Sequence, residues 1–427
     1  MVEKEIAMRK RFAIVNLAVA LAVIAAFTVV AGSQVAAKTV HASKTTVTIA
    51  GWASTPAEPK DLQKVINNFQ KANKNIKVKL VEYNGNTYPT TILSSISAGG
   101  GPDIFYVNSD KFLAWQEAGA LYPLNSFIKK DKAYNYGDIY KSLRSGFTVK
   151  GKIYGIDKDY STLAMEINTG IWKAAKMGKA PTNWSGFAAD ACKIRNYEKK
   201  HGHKDVYGAG LAPDQARWNP LLQSLGGHVL NKAQNKAEIN SKAGVKAISL
   251  WASLVKKGCA AYPNAQQGWS GGEFGPGQAA MVWEGPWIIP YLQTTYPKLR
   301  YKIYPLPVNG NYLYTVAYSM NPHAKNKAAA WKLLSYLTGK VGEKQWVDLF
   351  KVLPARKSIS APAGDGVFLK GAKHAEAYLF RPRYTDPNGP YSILNNDLVK
   401  VAKGQMTAKQ AVVDVTNAIN HWLSTHP

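Results

Sequence analysis

Between residues 45 and 108 the chain switches four times between two hydrophobic periods, and few folds tolerate that order. TTVTIA (Thr45–Ala50) reads as a strand, and Leu62, Val65, Ile66 and Phe69 then recur at helical spacing. Ile76, Val78 and Leu80 alternate with Lys77 and Lys79, a second helix runs through Ile92, Leu93 and Ile96, and a third strand covers Asp103–Asn108. A side-chain period of two marks a strand with two unlike faces, and a period near 3.6 marks a helix with one apolar stripe. Strand, helix, strand, helix, strand predicts an α/β architecture with a parallel sheet and right-handed crossovers.

The pattern is expected to recur downstream. Strands are predicted near residues 163–168, 206–211, 279–283, 301–306 and 313–319, with helices over 241–257, 325–338, 341–350, 392–403 and 407–423. With 427 residues, 46% of them hydrophobic, the chain can fill more than one core. Neither a short repeat nor a long linker separates the halves, so two closely packed α/β lobes are expected.

Ahead of this lies Met8-Arg9-Lys10-Arg11, then an apolar run from Phe12 to Ala31, then small-residue sites at 35–37 and 40–42. Residues 1–37 therefore read as an export signal or an N-terminal anchor, and an extracytoplasmic location is expected. The only cysteines are Cys192 and Cys259, so none stands where a lipid-anchored N-terminus would need it. The two form one disulfide or remain two buried thiols; the sequence leaves both open. The formal charge is +27, and the leader carries only +2 of it, which leaves +25 on residues 38–427. Lysines are scattered rather than blocked, which with export argues for a solvated basic surface and against a nucleic-acid partner.

In open α/β sheets a ligand sits beyond the carboxyl ends of the strands. That rule selects Trp52 and Ser54 after the first strand, Asn108 and Asp110 after the third, and Glu284 and Trp287 in the EGPW segment after 279–283. Indoles beside uncharged polar groups suit sugars, whose C–H faces pack on rings while their hydroxyls need donors and acceptors. Tryptophans inside helices, such as Trp251 and Trp331, are expected in cores. Gly99-Gly100-Gly101 lacks the Lys-Ser or Lys-Thr of a phosphate loop. His201 and His203 lack nearby ligands in a metal pattern, and no cofactor is expected.

SAGGGPDIFYVNSDKF (Ser97–Phe112), FGPGQAAMVWEGPW (Phe274–Trp287), APTNW (Ala180–Trp184) and VLPARKS (Val352–Ser358) resemble, in that order, the extracellular solute-binding proteins of carbohydrate ABC transporters, relatives of maltodextrin-binding protein. The resemblance covers nearly all of the chain after the leader. It implies a two-lobed, periplasmic-binding-protein-like (type II) fold with a hinged cleft, the lobes being 44–158 with 317–352, and 159–316 with 353–427. It implies a monomer that binds a sugar or oligosaccharide and delivers it to membrane permease subunits. Position by position it points to Asp110 with Lys111 beside it, to Trp287 as a stacking ring, to Asp214 and Trp218 in DQARW, to Tyr160 and Ser161 at the first interlobe crossing, and to Arg356 near the third. Two rival readings stand beside it. One is a receptor for an anionic or other non-sugar solute; the other is a secreted glycoside-cleaving enzyme using two of Asp103, Asp110, Glu273 and Glu284, although no motif pairs them.

Overall fold

The structure, a computed structural model, describes residues 44–425 apart from 54, 56, 86, 264–267, 363–365 and 387. The expected leader and Ser54 lie outside the described residues. The first half follows the hydrophobic periods closely. Strand β1 (Thr45–Trp52), helix α1 (Glu58–Ala72), β2 (Ile76–Tyr83), α2 (Tyr88–Ser97), β3 (Ile104–Asn108) and α3 (Ser109–Glu117) come in the expected order. β1 pairs in parallel with both β2 and β3. The stripe Leu62, Val65, Ile66 and Phe69 is fully buried on the sheet, which is why α1 lies where it does.

Downstream come β4 (Gly155–Ser161), β5 (Ala164–Asn168), α4 (Trp184–Lys200), α5 (Gln215–Ser224) and α6 (Lys242–Lys256). They are followed by β6 (Met281–Glu284), α7 (Ile288–Thr295), β7 (Tyr301–Tyr304) and β8 (Asn311–Met320). Helices α8 (Lys327–Leu337) and α9 (Lys340–Phe350), the short β9 (Ala375–Ala377), α10 (Pro390–Ala402) and α11 (Ala408–Thr425) complete the chain. The major sheet has the order β9-β8-β3-β1-β2, with β4 also paired to β8. A three-stranded sheet, β6-β5-β7, is antiparallel throughout.

That second sheet departs from the expected parallel repeat. Residues 206–211 contribute only a two-residue strand, Ala209–Gly210, and β5 takes its neighbours β6 and β7 head to tail. An apolar run buried on both faces carries no mark of direction, so periodicity alone could not distinguish the two pairings.

Two large hydrophobic cores result among the described residues, with two smaller clusters beside them. The first gathers Ile49, Phe69, Phe105, Phe112, Tyr318 and Trp331 with Leu353 and Phe368. The second gathers Met165, Phe187, Trp218, Trp251, Trp283, Leu398 and Trp422. β8 belongs to both, with Tyr312 in the second core and Ala317, Tyr318 and Met320 in the first. The stretch from β4 to β5 does the same, since Ala164 lies in the first core and Met165 in the second. The two crossing segments run side by side, Tyr314 opposite Ser161. Cys192, on α4, and Cys259, just beyond α6, are joined as a disulfide, which decides the question the sequence left open. No helix among the described residues is long and apolar enough to cross a membrane.

Candidate functional site

A cavity of about 420 Å³ opens where the crossing segments meet the strand ends, within the usual range for a small-molecule site. One wall comes from the first core. Parallel strands β1 and β3 end at Trp52 and Asn108, which the strand-end rule brings to the rim. Trp52 is held edge-on by Tyr88 and Tyr106, at centroid separations of 5.1 and 5.2 Å. Asn108 caps α3, its side-chain oxygen accepting from the Ser109 N–H at 3.1 Å.

The same wall carries a cation. In the β4–β8 pair, Val316 opposes Asp159 and Ala317 opposes Asp157, so Lys158 is the extra residue of a bulge. A bulge breaks the alternation of the strand and re-aims its side chains, and here Lys158, Asp159 and Ser161 all line the cavity. The Lys158 ammonium lies 3.6 Å from Glu58, 3.1 Å from Asp159, and over the rings of Trp346 (4.1 Å) and Tyr106 (4.8 Å). Only 6% of its side chain is exposed, so its charge is answered from within the protein. Behind it, Asp157 is buried and its carboxyl is pushed up to about 7. The Thr315 hydroxyl lies 2.9 Å from that carboxyl and 2.8 Å from the Asp159 carbonyl.

The opposite wall is built on β6, α5 and α7. Glu284 ends β6 fully buried, and its Oε2 accepts from Arg217 Nη2 at 2.7 Å and from the Trp287 indole N–H at 3.0 Å. One carboxylate oxygen thus aims a guanidinium and an indole, both of which line the cavity. Gly285 is required for space: a Cβ there would stand 2.2 Å from the Trp287 ring, which folds back over it. Tyr314 meets Trp287 edge-on at 5.6 Å and Tyr378 at a 40° tilt at 4.8 Å, and its hydroxyl donates to the Ala216 carbonyl at 2.9 Å. Arg217 is also 3.7 Å from Asp214, while its Nε is buried with no hydrogen-bond partner.

Of the residues expected from sequence, Trp52, Asn108, Ser161 and Trp287 line this one cavity. Glu284 and Asp214 stand behind it as partners of Arg217. The others are placed elsewhere. Trp218 is fully buried in the second core, because a one-residue step along α5 turns the side chain away from the wall that Arg217 faces. Arg356 is 2% exposed and donates to the carbonyls of Thr338, Asn135 and Tyr134, so it clamps the first core together. Tyr160 packs edge-on against Tyr140 and bridges through its backbone to Leu353, on the face of β4 opposite its neighbours. Asp110 and Lys111 are not among the lining groups; the Lys111 ammonium donates to the hydroxyl and carbonyl of Thr385, at 2.6 and 3.1 Å.

Sequence reasoning missed Tyr106, Lys158, Asp159, Arg217, Trp269, Tyr314, Phe350 and Tyr378. Two had a readable sign. IDKDY (Ile156–Tyr160) crowds charges into a strand, which is costly unless they have a buried task, and Arg217 sits inside the DQARW segment already singled out. Tyr314 and Tyr378 come together only through β8 and β9, beyond any local pattern.

The profile of the bacterial extracellular solute-binding protein family matches residues 64–373. A curated binding protein of Brucella abortus is 23% identical over 282 residues, 62% of this chain and 65% of that protein, so the chain spans about 65% of the length of the curated relatives it matches. Among solved structures, the ABC substrate-binding protein of Listeria monocytogenes in complex with cycloalternan superposes with a TM-score of 0.79 at 22% identity, covering 90% of this chain and 100% of that one. The GacH receptor of Streptomyces glaucescens, solved with acarbose, gives 0.78 at 19% identity over 90% and 100%. UgpB from Mycobacterium tuberculosis, in complex with glycerophosphocholine, gives 0.76 at 17% identity over 88% and 98%. The matched profile spans most of the described chain, and the protein belongs to the bacterial extracellular solute-binding proteins.

Proposed function

We propose that this protein is the extracytoplasmic receptor of an ABC importer, which captures a sugar or oligosaccharide between two lobes and hands it unaltered to membrane permease subunits. The observation that carries the reading is the cavity itself, with Trp52 and Tyr106 on one side and Trp287, Tyr314 and Tyr378 on the other. Rings on both sides suit a flat, partly apolar ring ligand, and Asn108, Ser161 and Arg217 supply polar partners for hydroxyls. One stacked ring contributes on the order of 1 kcal/mol beyond area burial, so micromolar capture, about 8 kcal/mol, calls on several at once. Charge argues for an uncharged ligand. Lys158 is answered by Glu58 and Asp159, and Arg217 by Glu284 and Asp214, so neither cation awaits an anionic solute.

The lobes proposed are 44–158 with 317–352 and 159–316 with 353–427, moving about the crossing segments. Closure is favoured only by a ligand that touches both sides. Hydrolysis is not the reading favoured: Asp103 accepts from the Thr48 N–H and hydroxyl at 2.7 Å each, and the carboxylates nearest the cavity are engaged with Lys158 and Arg217. A thermal-shift screen of neutral mono- and oligosaccharides, followed by calorimetry and a reducing-end assay, tests the proposal. The expected result is a raised melting temperature with at least one sugar and no new reducing ends. A screen in which only anionic solutes stabilise the protein, or one that releases reducing ends, overturns it.

A further inference from the structure

Behind Glu284 lies a second acid for which the cavity has given no role. Glu166, on β5, is fully buried, and its Oε2 accepts the backbone N–H of Glu284 at 3.1 Å. The remaining oxygens of the two side chains, Glu166 Oε1 and Glu284 Oε1, are both buried without a hydrogen-bond partner. Around them the charges do not balance. From α5 comes the Arg217 guanidinium, which already faces Glu284 and, at 3.7 Å, Asp214. From β7 comes only the phenol of Tyr301, and β8 adds the phenol of Tyr314 beside Arg217. One cation thus stands against two carboxylates before Glu166 is counted, and among the described residues no ion pair reaches Glu166. An unpaired buried carboxylate is far costlier than a neutral acid, so such a site retains a proton. Burial, and then the neighbouring Glu284, push the Glu166 carboxyl well above the ordinary glutamate range, in agreement with the count.

We propose that Glu166 is a positioning residue held as the neutral acid, so that the one ionised carboxylate of Glu284 is free to orient both Arg217 and Trp287 toward the ligand. Ionised, Glu166 competes for Arg217 and sets two like charges in the wall from which the indole hangs. Neutral, it supports Glu284 through the backbone and leaves the guanidinium to Glu284 and Asp214. The role toward ligand rests on reading the cavity as the carbohydrate site; the protonation state does not, and the test needs no ligand.

The experiment is carboxyl and indole NMR on the full chain after the leader, labelled with ¹³C at glutamate side chains and ¹⁵N at tryptophan. At pH 7 the Glu166 carboxyl, assigned through its own backbone and by its loss in Glu166→Gln, is expected at the position of a carboxylic acid. The Trp287 indole resonance, assigned with Trp287→Phe, is expected to keep its place in Glu166→Gln and to move in Glu284→Gln. A Glu166 carboxyl at the carboxylate position overturns the proposal. So does a Trp287 resonance that Glu166→Gln displaces as far as Glu284→Gln does. Should Glu166→Gln not fold, the wild-type carboxyl position alone decides the protonation state, and Glu166→Leu, neutral without polar atoms, takes its place for the indole. A cavity that takes no carbohydrate leaves all these resonances unchanged, so failure of the functional reading and failure of this one are told apart.

Discussion

The two walls of the cavity each carry one cation and are built in opposite ways. Lys158 is sealed: two carboxylates and aromatic rings surround it, 6% of its side chain is exposed, and a bulge commits its backbone. Arg217 is held by Glu284, which it shares with Trp287, and more loosely by Asp214 at 3.7 Å, and its side chain is 17% exposed. A sealed charge adds little to recognition because its donors are already used, whereas a guanidinium that lines the cavity and stays partly exposed has a face left for a ligand. The first wall is thus expected to govern stability and the second to govern affinity.

The substitution that tests this most severely is Lys158→Met. It strands Glu58 and Asp159 without their cation, and removing one partner of a buried pair costs about 3–5 kcal/mol. Denaturant unfolding should register that loss, while ligand affinity in the folded fraction changes by less than about threefold; an affinity collapse with normal stability reverses the assignment. Next in size, Trp287→Ala should weaken binding by roughly 30-fold or more, the scale of a hot-spot aromatic, with the melting temperature nearly unmoved. Calorimetric titration decides it, and an unchanged isotherm removes this indole from the site. Glu284→Gln keeps the shape of the side chain but loses its charge, and it should reduce affinity by about tenfold, the scale of a charged hydrogen bond. If Arg217→Met lowers affinity and the double substitution is no worse than either single one, the two act as one unit.

A separate effect is a dependence of stability on pH set in part by the sealed wall. Asp157 titrates near 7 in the folded chain, above its unfolded value, so the native state binds the extra proton. Its contribution is complete below the unfolded value and is lost as pH rises through about 7. Glu343 and Glu273, raised by burial to about 8, act in the same sense. Melting temperatures should therefore fall from pH 5 to pH 8, and Asp157→Asn should flatten part of that slope. A slope unchanged in Asp157→Asn excludes this residue as its source.

What could be read in advance divides along the same line. The α/β order of residues 45–108 was legible because each period there belongs to an element with one buried face, and the strand-end rule then brought Trp52 and Asn108 to the rim. EGPW was legible for its turn and its ring, though the need for Gly285 is steric contact with that ring. Lys158 was not, because a bulge is a property of two strands and neither strand shows it alone. Trp218 is the ring that the resemblance points to in DQARW, whereas helical phase, fixed only by packing on the second core, puts Arg217 on the cavity side. Directions of pairing in β6-β5-β7 and the meeting of Tyr314 with Tyr378 depend on long-range assembly.

The Cys192–Cys259 clasp ties residues 67 positions apart, and on the chain-entropy account closing such a loop stabilises the native state by about 4 kcal/mol. That sum is comparable with the whole margin of many domains. A chain kept reduced lacks that increment, so the rigidity of the fold is tied to the redox state of its surroundings.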